Sequence, residues 1–366
     1  MRTIRESPGH RQRAPQRSAA PTLCSYSSLA LLPETALIYG RRTRKPYPPP
    51  LGRNSGSAAA AGFWPVPGTR IPAPQKTGIP PLGEFMTVVV LWHSKKSNQL
   101  FCVADTRISR NNATATDHGP KILPVPVVCH RPEGGPKWKV IRRTTFGFAY
   151  CGSTLSAIGT HSIASACTQH LAGKAKEDRA IPLEEVAQLF RSIGEDYVRD
   201  VAGRLGPLDR PESTFFDGMI FGYCHASKQF RAFVITSSTA SGIFRMNLAE
   251  LLLNSGAFHP MGSGVGNFLS LHEELEHSHP NPGVLTTFGE MIARQVQKDV
   301  GGHAQLGVTD QRDGFRLLPI LNPGTNGATL SFLGWELPTV EAFTDFRIGY
   351  NAFKIDPLWD NAKGTR

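Results

Sequence analysis

The order of apolar segments after residue 86 predicts an α+β fold, with two antiparallel sheets stacked face to face and helices covering both outer faces. Three observations carry this. Strand-like runs come in groups, helix-like runs come in pairs between them, and the first two strands are separated only by the polar turn "SKKSN", as in a hairpin. A doubly wound parallel sheet would instead alternate strand and helix singly.

Taken in order, "TVVVLWH" (87–93) and "QLFCVADT" (99–106) read as the hairpin, and a looser stretch over 107–120 leads to the strands "KILPVPVV" and "WKVIRRTTFGFAY". "TLSAIGTHSIASACTQHLAG" is small and helix-compatible, suited to close packing on a flat surface. In "PLEEVAQLFRSIGEDYVRDVAG" the apolar residues Val186, Leu189, Phe190, Ile193, Tyr197 and Val201 form a 3.6-residue stripe, with Pro182 suited to a first turn. "FFDGMIFGYC" and "QFRAFVIT" resume the strands. "MGSGVGNFLSLHEELEH" passes from a Gly-rich turn into a helix, "LTTFGEMIARQVQKDV" reads as another, and "HAQLGVT" with "GFRLLPI" closes the pattern as a hairpin.

The net charge of +11 is unevenly placed. Residues 1–85 carry 12 Lys/Arg against 3 Asp/Glu, so the remainder is only +2 and gives no reason to expect nucleic-acid binding. Residues 1–85 also hold 14 of the 29 prolines and no sustained apolar period, so they read as a disordered basic extension. A transit peptide and an upstream reading-frame extension both fit it; the second is preferred because Met86-Thr87 makes a natural start. Residues 86–334 form the folded domain and 335–366 a C-terminal tail. The apolar run "LALLPETALIYG" is too short and too broken for a membrane span. The six cysteines lack metal-site spacing, and Cys102, Cys151 and Cys224 lie in apolar stretches as small core residues would. This cysteine usage suits a reducing cytoplasm.

Certain residues recur at strand ends in a fixed order: Thr87 opening a strand, "VADTRIS" with Asp105 and Arg107, Lys121 sixteen residues after Asp105, "YCGS" with Gly152, and "MGSG" with Ser263. Together they resemble the N-terminal nucleophile hydrolases, in particular the proteasome β-subunits and their bacterial relatives of the HslV and Anbu type. The resemblance covers about residues 87–320. It keeps the family's Asp–Lys separation and lengthens the Thr–Asp one by two residues, which a longer hairpin turn absorbs. It implies a four-layer αββα sandwich and a cytoplasmic threonine-type endopeptidase. It also implies a homo-oligomeric ring enclosing the sites, polypeptide substrates, no cofactor and an ATP-dependent unfoldase as partner.

The chemistry agrees. A Thr hydroxyl needs a base to take its proton. A free α-amine, with a pKa of about 7.7–8.0, supplies one. Thr87, exposed by removal of Met86, would then be nucleophile and base together. A Lys121 ammonium would keep that amine uncharged, Asp105 would hold Lys121 charged and oriented, and the Gly152 N–H would donate to the oxyanion, worth about 3 kcal/mol. The resemblance adds Ser263 and Asp299 as hydrogen-bonding partners of the amine region, and gives Arg107 the role of shaping the site.

Two departures stand out. Met86 replaces the Gly that precedes Thr in self-removing propeptides, and the late Asp-x-x-Ser-Gly-Gly is shortened here to "KDVGGHA". Two other readings remain: a non-catalytic ring subunit that retains residues 1–85, and a non-proteolytic amidase of the same superfamily. "HEELEH" spaces its histidines five apart, where HExxH needs four.

Overall fold

The computed structural model describes residues 87–336, apart from 111–112, 135–136, 174–178, 206–210, 241, 255–256, 280–281 and 325–326, together with 353–354. All of them belong to one unit, Gln75–Arg366. The predicted extension and tail residues 337–352 and 355–366 lie outside the described residues.

β1 (Val89–Ser94) and β2 (Gln99–Asp105) form the expected hairpin, with Val89 opposite Ala104. The stretch read as loose contains a small ribbon, β3 (Ile108–Arg110) with β4 (Ala113–Thr116). Next come β5 (Ile122–Gly134) and β6 (Lys137–Gly152), then α1 (Thr154–Thr168), the two-residue β7 (Leu171–Ala172) and α2 (Leu183–Leu205). β8 (Phe216–Cys224), β9 (Gln229–Ala240) and β10 (Ile243–Glu250) make a meander, and β11 (Phe258–Met261) leads to α3 (Val265–Ser278) and α4 (Val284–Ala293). β12 (Ala304–Asp310) and β13 (Gly314–Leu318) form the closing hairpin. A further sheet joins β14 (Ile320–Gly324), β15 (Gly327–Phe332), β16 (Trp335–Glu336) and β17 (Phe353–Lys354).

The result is a mixed α+β fold with two principal sheets, ordered β11-β1-β2-β12-β13 and β10-β9-β8-β6-β5-β7. Both are antiparallel apart from the short parallel pairing of β5 with β7. Strand periodicity sorts their side chains among three apolar clusters. Val89, Leu91, Cys102 and Ala104 from the first sheet meet Ala149, Met219, Phe221 and Ala232 from the second. The alternate residues Val88, Val90 and Val103 pack with Phe268 and Phe288 of α3 and α4, and Phe148 and Phe216 pack with Phe190 of α2. Strands buried on both faces read as continuous apolar runs, hence "TVVVL" and "LFCVA". Each fully buried Val or Leu contributes about 1.5–3 kcal/mol.

Prolines in β5 would disrupt a central strand, yet Pro124 and Pro126 pair with Gly147 and Thr145. Their outward edge is covered by α1: His161 Nε2 lies 2.8 Å from the Pro124 carbonyl, and Thr168 Oγ1 donates to that of Pro126 at 2.7 Å. The missing N–H groups fall on that edge, where no ladder partner is lost.

Two helices differ from expectation. In α2 the fully buried line runs through Val186, Phe190, Gly194 and Val198, while Leu189, Ile193, Tyr197 and Val201 are half-buried beside it. The sheet side leaves little room at Gly194, where a methyl group would lie 2.9 Å from Met246 Sδ. α4 stops at Ala293 rather than reaching Val300, because Gln295 takes a left-handed φ of 49°. Asp299 therefore sits in a turn and not on a helix. In "HEELEH", His272 bonds Thr287 Oγ1 and His277 bonds the Glu273 carbonyl, each at 2.7 Å, so both imidazoles have protein partners. Among the described residues no helix is long and apolar enough to cross a membrane.

Candidate active site

The β1–β2 register brings the end of β2 alongside the start of β1. Asp105, wholly buried there, receives four hydrogen bonds. Its Oδ1 accepts from the Val88 N–H at 3.2 Å and from Lys121 Nζ at 2.9 Å; its Oδ2 accepts from the N–H groups of Arg107 at 3.2 Å and Gly301 at 3.3 Å. The Lys121 side chain is 3% exposed. Burial raises the Asp105 pKa from the usual carboxylate range and lowers that of Lys121, while the ion pair opposes both shifts and the two backbone donors from Gly301 and Val88 oppose the first.

Thr87 immediately precedes this arrangement and is itself buried. Its carbonyl accepts from the Gly264 N–H at 3.2 Å. Continuing the β1–β11 register, in which Val89 faces Met261, sets Thr87 opposite Ser263, which is exposed. Gly262, at φ 104°, lies so close that a methyl group there would be 2.2 Å from the Thr87 carbonyl oxygen and 3.3 Å from Cys151 Cβ. Gly262→Ala is therefore expected to destabilise the fold by at least about 2 kcal/mol, seen as a lower urea midpoint.

The same glycine links Thr87 to the end of β6. Cys151 belongs to the cluster between the sheets, and burial pushes its thiol well above the ordinary range. Gly152 follows at φ 97°; a methyl group there would meet the Phe215 carbonyl oxygen at 2.7 Å, so this position needs glycine for its backbone as well as its approach. Ser153 then caps α1, its Oγ accepting from the Ser156 N–H at 3.4 Å. Tyr150 anchors the other side: its N–H donates to the Lys121 carbonyl, and its hydroxyl donates to that of Pro120 at 2.9 Å. Burial pushes the Tyr150 pKa up to about 12.

Asp299 is buried two residues before Gly301, whose N–H reaches Asp105. Arg107 fastens this turn. Its guanidinium pairs with Asp117 at 2.7 Å and donates to the Lys298 carbonyl at 2.7 Å, and Gly301 leaves room for it. The Asp117 hydrogen bond raises the Arg107 pKa, and the Arg107 hydrogen bond holds Asp117 below the ordinary range. The fold thus pairs Asp105 with Lys121 directly and ties Asp105 to the N–H of Val88, the residue after Thr87. Asp299 connects through the Gly301 backbone, Ser263 through the strand register, and Gly152 through its neighbour Cys151.

Sequence reasoning missed two participants, Asp117 and Gln305. Gln305 left one signal, a polar side chain in the otherwise apolar run "AQLGV". It is 1% exposed, and its Oε1 accepts from the N–H groups of Lys121 at 3.0 Å and Ile122 at 3.1 Å, while Nε2 donates to the Gly119 carbonyl at 2.7 Å.

No protein-family model matches the chain, and no curated protein matches it. Among solved structures, Anbu, the ancestral β-subunit from Yersinia bercovieri, is similar at 13% identity and a TM-score of 0.38, over 63% of this chain and 82% of that one. The likeness is distant.

Proposed function

We propose that this chain is a threonine-type N-terminal nucleophile peptidase whose active form begins at Thr87. One observation carries the reading: the buried Asp105 carboxylate accepts both the Lys121 ammonium and the N–H of Val88, the residue after Thr87. A buried lysine is thereby held beside the start of β1, where nucleophilic chemistry would require it.

In this mechanism the Thr87 α-amine takes the Oγ proton as Oγ attacks the scissile carbonyl. Lys121 disfavours a second positive charge on the amine and stabilises the developing alkoxide. The oxyanion accepts from the Gly152 N–H. The amine then protonates the leaving nitrogen, and water hydrolyses the ester formed on Thr87. Ser263 and Asp299 hold the amine through hydrogen bonds, as the sequence resemblance implies. The three apolar clusters, one between the sheets and one beneath each helix pair, support the four-layer αββα reading. On the same resemblance the chain assembles as a ring in the cytoplasm, takes polypeptide substrates and works with an ATP-dependent unfoldase.

Terminal sequencing and intact mass of the protein from its natural host test this first. A chain beginning at Thr87, labelled on that residue by an epoxyketone or β-lactone, is the expected result. A chain that keeps residues 1–86 and resists both electrophiles would leave a non-catalytic ring subunit as the better account.

A further inference from the structure

We propose that Gln305 is a positioning residue for Lys121, fixing the backbone from which the ammonium reaches Asp105. The proposal rests on the peptidase reading only for its consequence in catalysis; its structural content stands on the carboxamide.

Gln305 lies on β12 opposite Ala104 of β2, one position from the pair that joins Ala304 to Asp105. β2 therefore brings the carboxylate, and the strand paired with it brings the amide that holds the lysine. Three hydrogen bonds within four residues grip the segment from Gly119 to Ile122 on both sides of Lys121. Lys121 precedes β5 and lacks the full ladder of that strand, so its two nearest N–H groups depend on this side chain. A buried N–H left without an acceptor would otherwise shift or admit water.

The amide is suited to this role because it is uncharged. Around Lys121 stand Asp105 from β2, Arg107 just beyond it, and Cys151 and Tyr150 from β6. Among the described residues, Asp105 is the carboxylate in direct contact with it. A second carboxylate here would favour the ammonium form that burial opposes. It would also face the Gly119 carbonyl with an acceptor where a donor is needed.

Gln305→Glu and Gln305→Met separate these contributions. The glutamate side chain, when protonated, reproduces all three bonds by donating to Gly119; when ionised it loses that bond and adds charge. Methionine fills the space and makes none of them. The readout is the titration of Lys121 by NMR in the full chain carrying [ε-13C]lysine, assigned with Lys121→Met. The assignment is checked with Lys121→Arg, which removes the same signal but keeps a positive charge beside Asp105, and in the wild type Lys121 is expected to titrate below the exposed lysines. Both variants are expected to move its midpoint upward, through added charge in one and through water reaching a loosened segment in the other. β-Lactone labelling of the host-processed variants should slow about a hundredfold, as misplacement by about 1 Å would cause.

An unchanged Lys121 midpoint in folded variants overturns the proposal, even if the wild type labels readily. A shifted midpoint with no labelling of any form supports the positioning role and removes the peptidase reading instead. Should Gln305→Met fail to fold, Gln305→Asn, uncharged but one methylene too short to keep all three bonds, carries the test by the same midpoint.

Discussion

Thr87→Ala is expected to abolish hydrolysis and electrophile labelling in the processed protein, a fall of about 10⁴-fold or more, while leaving thermal stability nearly unchanged. Such a loss corresponds to roughly 5.5 kcal/mol of transition-state stabilisation. The stability expectation follows from how Thr87 is held: its carbonyl, not its side chain, accepts the Gly264 N–H. Alanine keeps that bond and the strand entry. Thr87→Ser keeps a hydroxyl and should retain measurable labelling at a reduced rate. A second comparison isolates the amine. A chain carrying residue 86 has an amide nitrogen at Thr87, with no basic lone pair, so it should be as inert as Thr87→Ala although its hydroxyl is intact. Activity from that unprocessed chain would show that the base is some other group.

How far the site was legible depends on whether a residue acts through its side chain or through the backbone around it. Asp105 and Lys121 were singled out by their order and sixteen-residue spacing within the family resemblance, since an Asp and a Lys taken singly carry little signal, and the fold pairs them at 2.9 Å. The β1–β2 hairpin was legible from polar turn residues between apolar runs. The early stop of α4 was not, since Gln295 at φ 49° interrupts a stretch whose composition favours helix throughout. That misread Asp299 as helical, whereas it lies in a turn fastened by Arg107. Gln305 was missed because its work is done on peptide groups at 119–122, more than 180 residues away, and no local pattern encodes that distance. Gly262 was visible only as part of "MGSG"; its need for a positive φ and an open face toward Thr87 appears once β11 is paired with β1.

Lys121→Met should be the most damaging single change to the fold, costing about 3–5 kcal/mol at neutral pH, because it leaves the Asp105 carboxylate buried without a counter-charge. The three backbone N–H groups that remain on Asp105 soften the loss but carry no net charge. The pH dependence identifies the cause. Asp105 already has a raised pKa through burial, and removing Lys121 takes away the largest influence opposing that rise. A carboxyl whose folded pKa lies above its unfolded value of about 3.9 binds more protons when folded, so the variant loses stability as pH increases from the unfolded toward the folded pKa. Its deficit should therefore be small in acid and grow toward neutrality, where urea unfolding at several pH values would show it. Asp105→Asn in the same chain removes the stranded charge and should recover about 1–3 kcal/mol of the neutral-pH loss, a coupling too large for independent sites. Both variants should remain inactive, since neither keeps an ammonium beside Thr87. A deficit that stays constant from acid to neutral pH would mean that Lys121 contributes packing there and not charge.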